Sequence, residues 1–293
     1  MAPSRFRVWM LAARPKTLGA AVAPVLVGTA MAWEAGRFHA LAALCALLGA
    51  VLIQIGTNFS NDYADYLKGA DTDARKGPLR VTQAGLVSAS AMRRATAFVF
   101  GLAVLAGVYL IVRGGWPVLA IGVASIVSGI LYTVGRYSLA YLGLADLFVL
   151  VFFGPVAVGG TYFVQALAIT PEVLVAGLGP GLLAVAILLV NNIRDVEEDR
   201  AAGKRTLVVR GGKRFGVGLY VGCVVAAALV PVGLYLWTGR HPWVMLAALV
   251  ALAAIPIVKK LRRLPAAALN PLLGATGRLL LLFSILFTIG WLQ

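Results

Sequence analysis

Two acidic clusters carry most of the groups in this chain that could do chemistry. They are Asn61–Asp71, reading NDYADYLKGAD, and Asn191–Asp199, reading NNIRDVEED. With Asp73 just beyond the first, they hold eight of the eleven carboxylates in 293 residues. In each, an Asn precedes two carboxylates at helical spacing. Asp62 and Asp65 (i, i+3) share one helix face, and Asp195 and Asp199 (i, i+4) share another. Both clusters follow directly on apolar runs of about twenty residues, long enough to cross a bilayer. A helix C-terminus already carries partial negative charge, so carboxylates gathered there need a cation to offset them. Mg2+ is the simplest choice for amide and carboxylate oxygens, Asp62 among them, because it takes oxygen ligands and keeps positions open for phosphate.

A basic collar completes each cluster. Lys68, Arg75, Lys76 and Arg80 follow the first; Arg194 lies inside the second, and Lys204, Arg205, Arg210, Lys213 and Arg214 follow it. Carboxylates beside such a collar suit a polyanion held through a metal, with Lys or Arg neutralising the charge that the metal leaves. At the mouth of a membrane cavity that polyanion is a lipid diphosphate. Asn61, Asn192, Lys68, Arg80, Arg194, Lys204 and Arg205 are the groups expected to hold it. Four helices separate the clusters, and their matched grammar suggests a pseudo-repeat that sets the two acidic faces opposite each other.

The elements that must position these residues are membrane helices. Of the residues, 61% are hydrophobic and only 13% charged, against about 25% charged in soluble domains. Windows of about 19 residues predict nine spans. They lie near 17–36, 40–60, 91–112, 116–134, 143–165, 172–192, 215–238, 242–260 and 272–292. The short connections leave no room for a soluble domain, so residues 1–293 read as one transmembrane unit. A net charge of +15 invites a nucleic-acid partner until the basic residues are sorted by loop: 22 of the 26 fall on the side of the N-terminus. Arg37, Arg113 and Arg240 fall on the other, and Arg278 lies inside the last span, either snorkelling or facing the cavity. That bias orients the N-terminus and both acidic clusters toward the cytoplasm and holds the same face against anionic lipid. Cys45 and Cys223 sit singly in apolar spans with no ligand spacing, and His39 and His241 fall in outer loops. Residues 4–14 suit a short interfacial amphipathic helix. Asp146, inside the fifth span, is expensive unless paired or used.

NDYADY with its following Lys-Gly and Asp, together with NIRDVEEDRAAGKRTLVVRGG, resembles the paired aspartate-rich motifs of the UbiA superfamily of intramembrane prenyltransferases. The resemblance runs from RPKTL at Arg14 to the last helix. Within the superfamily, GPLRVTQAGL (Gly77 to Leu86) and the stretch from Tyr132 to Gln165 resemble the branch that prenylates 1,4-dihydroxy-2-naphthoate in menaquinone synthesis. The resemblance implies an all-α fold of about nine helices around a cavity open sideways to lipid. It implies an Mg2+-dependent transfer of a polyprenyl group from polyprenyl diphosphate, with loss of diphosphate and CO2. It assigns Asn61, Asp65, Asp195 and Asp199 to the metal diphosphate. Position 69, where the general family has another Asp, is Gly here, so Asp71 is taken as the third acid of the first motif. The family's Tyr and Lys after the fourth helix correspond to Tyr132 and Arg136. Asp146 is a candidate to take the acceptor's hydroxyl proton, and Tyr132, Phe148, Phe152, Phe153, Tyr162 and Phe163 are candidates to face an allyl cation.

Two other readings compete. Membrane carboxylates also serve cation-coupled transporters, but those place them near the midplane on broken helices rather than at one interface. Within the same chemistry, 4-hydroxybenzoate is the alternative acceptor.

Overall fold

The structure is a computed structural model describing residues 3–67, 77, 79–132 and 139–293, apart from the side chain of residue 140. Every regular element among these is helical. In chain order they are α1 (Arg5–Ala13), α2 (Pro15–Glu34), α3 (Ala40–Leu67), α4 (Ala89–Gly114), α5 (Trp116–Leu131), α6 (Leu139–Leu142) and α7 (Ala145–Val151). Then come α8 (Ala157–Ala166), α9 (Pro171–Arg194), α10 (Val196–Ala201), α11 (Leu207–Thr238), α12 (Val250–Ala253), α13 (Ile255–Arg263) and α14 (Asn270–Trp291). A π turn over Phe152–Val156 joins α7 to α8, and a 3-10 stretch over Pro242–Leu249 leads into α12.

Eight of the described segments are long and apolar enough to cross a membrane, and α5, at 16 residues, is a shorter ninth. The expected spans therefore appear in order, with two extensions. α3 runs on to Leu67 instead of stopping near residue 60, so the first acidic cluster begins inside a helix rather than in a loop. The physical reason is that its carboxylates are buried against partners, which removes the cost that would otherwise end the helix there. α11 starts at Leu207, and the early turn is broken at Gly212, whose φ of 79° is open to glycine.

At the centre stands α9, with 72% of its apolar stretch buried. Leu183, Ala186, Leu189, Val190 and Ile193 are each at most 1% exposed. Small residues let the backbone approach its neighbours. A Cβ on Gly181 would stand 2.5 Å from the Leu150 carbonyl oxygen, and one on Gly177 would stand 2.7 Å from Pro155 Cα. In lipid, where apolar attraction between helices is weak, such close packing is what holds a pair together. The partner is the π turn, where Gly154 leaves helical geometry (φ −109°, ψ −112°) and Pro155 offers no amide.

The N-terminal helix packs on the end that carries the motifs. Val8, Ala12 and Ala13 are buried with Phe59, Val81, Val87 and Met92, and the Trp9 and Phe59 rings lie 5.5 Å apart. Its other face leaves Phe6, Arg5 and Arg7 exposed, as expected of an interfacial helix.

Candidate active site

The ends of α3, α5 and α9 and the start of α7 lie at one end of the bundle, because each connection reverses direction. On α3, Asn58, Asn61, Asp62 and Asp65 form a polar stripe at i, i+3, i+4 and i+7, and all four are buried. Asn58 donates to the Ala13 carbonyl (2.9 Å) and to Thr17 Oγ1 (3.1 Å), tying α3 to the joint between α1 and α2. Asp62 accepts from the backbone amides of Val81 (3.2 Å) and Thr82 (3.1 Å), one on each carboxylate oxygen. Asp65 pairs with the buried guanidinium of Arg80, the residue just before those amides. Asp62 thus fastens the segment from which Arg80 reaches back to Asp65. Expected among the metal ligands, it accepts here from two backbone amides, contacts with no signature in its sequence neighbourhood.

The second cluster is built at a break between two helices. Asp195, the residue between α9 and α10, takes both Nε and Nη2 of Arg194 at 2.6 Å. Arg194, 3% exposed, also donates to Asn270 Oδ1 at 2.7 Å, so its guanidinium is held between two elements. Asp199 accepts from Lys204 Nζ at 2.8 Å. Burial raises the Asp199 carboxyl above its ordinary value, with the Lys204 ammonium opposing the shift. Burial works to lower the Lys204 ammonium, but the charges of Asp199 and Asp65 outweigh it, and the net direction is upward. Lys204 is therefore held as a cation within electrostatic reach of a carboxylate from each cluster. Tyr132 caps the end of α5 and is half-buried there.

Three motif carboxylates are thus balanced by a cation from the same chain: Asp65 by Arg80, Asp195 by Arg194 and Asp199 by Lys204. Among the described residues no three carboxylate, imidazole or thiol groups converge as a ready-made metal cage. The donor chemistry fits a hard divalent cation even so, because the polar groups offered are carboxylates and amides. Asn192, buried at 6% exposure, leaves its side-chain amide nitrogen without a hydrogen-bond partner among the described residues, a donor that a phosphate oxygen would satisfy. Asp146 is buried at the start of α7, and neither of its oxygens has a hydrogen-bond partner there either.

Other expected groups are placed differently or not described. Arg205 is exposed, with its carbonyl oxygen pressed against Gly143. Lys68, Asp71, Asp73 and Arg136 lie outside the described residues. Tyr162 is at the wrong end. It lines a cavity of about 410 Å3 with Glu34, Glu172, Arg240 and His241, where α2 ends and α9 begins. Phe148 and Phe152 stack with centroids 5.9 Å apart and remain with the site by their place on α7 and the π turn. Two contributors escaped the sequence reading. Asn58 could have been found by following the polar stripe one turn back along α3, whereas nothing near Asn270 points to Arg194.

Comparison with known proteins agrees with this arrangement. The UbiA prenyltransferase family matches residues 21–273. A 1,4-dihydroxy-2-naphthoate octaprenyltransferase of Escherichia coli is 39% identical, covering 98% of this chain and 96% of its own. One of Mycobacterium tuberculosis is 38% identical, covering 86% and 84%. Among solved structures, a UbiA homologue from Archaeoglobus fulgidus bound to GPP and Mg2+ superposes with a TM-score of 0.68 at 13% identity, over 97% of this chain and 99% of that one. The apo UbiA homologue from Aeropyrum pernix gives 0.67 at 15% identity, over 99% and 98%. A multi-pass helical bundle with two acidic motifs at one end, matched over most of its length in sequence and over nearly all of it in fold, belongs to the UbiA prenyltransferase family.

Proposed function

We propose that this chain, as a single membrane domain over residues 1–293, transfers a polyprenyl group from polyprenyl diphosphate to 1,4-dihydroxy-2-naphthoate. Diphosphate and CO2 are released and demethylmenaquinol is formed, a step of menaquinone biosynthesis. The observation that carries the reading is Lys204, a half-buried cation 2.8 Å from Asp199 of the second motif and also stabilised by the charge of Asp65 of the first. It is supported by the naphthoate specificity in the names of relatives 36–39% identical over most of their length.

Asn61, Asp65, Asp195 and Asp199 would hold Mg2+, with Asp71 joining from outside the described residues. The metal supplies charge to stabilise the departing diphosphate. Asn192 donates its unmatched amide to a phosphate oxygen, while Arg80 and Lys204, the cations now spent on the carboxylates, turn to the phosphates. The allylic C–O bond breaks with its electron pair leaving on the diphosphate. The Phe148 and Phe152 faces lie beside the allyl cation. Asp146 takes the acceptor's hydroxyl proton and so enriches the ring, whose carboxyl-bearing carbon attacks the cation; the carboxylate then leaves as CO2 and returns its bonding pair to the ring. Tyr132 donates a hydrogen bond within the same pocket. The reaction face is cytoplasmic, motivated by the 22 basic residues on that side, and single cysteines at positions 79 and 205 should be labelled only from the cytoplasm.

The decisive assay uses purified protein in detergent micelles with Mg2+, one polyprenyl diphosphate and a panel of aromatic acids. Consumption of the naphthoate with release of CO2 is expected. Because micelles hold no gradient, turnover there also disposes of the transporter reading. Prenylation of 4-hydroxybenzoate with its carboxylate retained, and none of the naphthoate, would overturn the acceptor assignment and leave the diphosphate chemistry standing.

A further inference from the structure

A groove of about 310 Å3 runs between α13 and α14 on the outside of the bundle, far along the chain from either acidic motif. Its wall is apolar, with Pro256, Ile257, Leu279 and Leu282 among the lining residues, and two cations, Lys260 and Arg278, complete it. No carboxylate lines it, and neither cation has a salt bridge or hydrogen bond among the described residues. Lys16 of α2 adds a third charge from the flank. Its Cδ and the Arg278 Nη1 lie 3.9 and 3.7 Å from the point a Cβ on Gly274 would occupy.

Arg278 is the informative member. It lies eight residues into α14, about 12 Å along the axis at the helical rise, and its side chain is exposed on the surface that meets lipid. An arginine there is expensive unless its charge is met, and the protein brings it two more cations instead of an anion. The groove therefore presents a long apolar wall ending in unmatched positive charge, the complement of an amphiphile with an anionic head. Basic pockets between helices at the cytoplasmic interface recognise lipid phosphates in this way.

We propose that this groove binds one anionic phospholipid, with an acyl chain along Ile257, Leu279 and Leu282 and the phosphate between Lys260 and Arg278, beside Lys16. The site is independent of the transfer reaction. Lipid bound to the detergent-purified protein is measured by native mass spectrometry during titration with phosphatidylglycerol and, separately, phosphatidylcholine. Wild type should prefer phosphatidylglycerol by about thirty-fold, the scale set by two interfacial cations. K260Q/R278Q should abolish the preference, whereas R262Q/R263Q, which removes as much charge from α13 outside the groove, should keep it. Leu282→Trp, with every charge intact, should weaken retention by filling the apolar wall, and it covers the case in which the double charge variant does not fold. Equal binding of the two lipids by wild type, or equal loss in the control pair, would overturn the proposal in favour of general surface charge. Displacement of the phospholipid by geranylgeranyl diphosphate would also overturn it, by giving the groove to the substrate.

Discussion

Of the apolar stretch of α3, only 11% is buried inside the protein, against 72% for α9. Both helices deliver an Asn and an aspartate to the same end of the bundle, yet they are held by opposite means. α9 is fixed by apolar packing and by glycines that admit the π turn to its backbone. α3 packs on α4 but stays only half-buried along most of its apolar length, and it is gripped at its polar end: Asn58 on the α1–α2 joint, Asp62 on two backbone amides, Asp65 on Arg80. Lipid offers a helix like α3 no hydrophobic reason to stay beside its neighbours, so hydrogen bonds and ion pairs carry the specificity. The same side-chain chemistry thus serves attachment on α3, beside the metal binding proposed for both helices.

That contrast can be broken most severely at the ligands themselves. Asp65→Asn, Asp195→Asn and Asp199→Asn keep size and lose charge, and each is expected to lower kcat/KM by roughly a hundred-fold, about 2.7 kcal/mol, in a protein that remains monodisperse. Unchanged turnover in all three at saturating Mg2+ would remove the ligand assignment from both helices.

A second comparison tests the packing half. Gly181→Val drives a side chain into the Leu150 carbonyl and should destabilise the bundle by about 1–3 kcal/mol, read as a lower Tm in detergent. Gly49→Val on α3, where a Cβ meets nothing within 4 Å, should leave Tm unchanged. Equal losses would mean that α3 is packed as α9 is.

The smallest expected effect separates attachment from ligation. Asp62→Asn can still accept on one oxygen but gives up the charge, a loss of about 1 kcal/mol at the two amides. Activity should fall by roughly ten-fold through misplacement of Arg80, with faster proteolysis near residues 79–87 and an unchanged Mg2+ dependence. A raised Mg2+ requirement without added protease sensitivity would return Asp62 to the metal.

Much of this frame was legible in the sequence, because a bilayer imposes length on its spans and sorts basic residues by side. The ends of the spans came out within a few residues, save where the rule reading charge as exposure failed. α3 outran its expected end since Asp62 and Asp65 are satisfied by partners 15 to 20 residues downstream, which no local pattern displays. The grip of Asn270 on Arg194 spans 76 positions and is equally invisible. Tyr162 was misplaced for a simpler reason. It lies sixteen residues beyond Asp146 along a span, about 24 Å by helical rise, and that distance alone puts it at the far end.

The inverted burial of α3 bears on how the protein is made. A helix with an apolar run long enough to span can enter the bilayer as soon as it leaves the ribosome, needing nothing from later segments. Its polar end, by contrast, finds Val81, Thr82 and Arg80 only after the following connection has been synthesised, and Lys204 only after four more crossings. Insertion and completion of α3 are therefore separate events in biogenesis, the motif-bearing end maturing long after the span itself is secure.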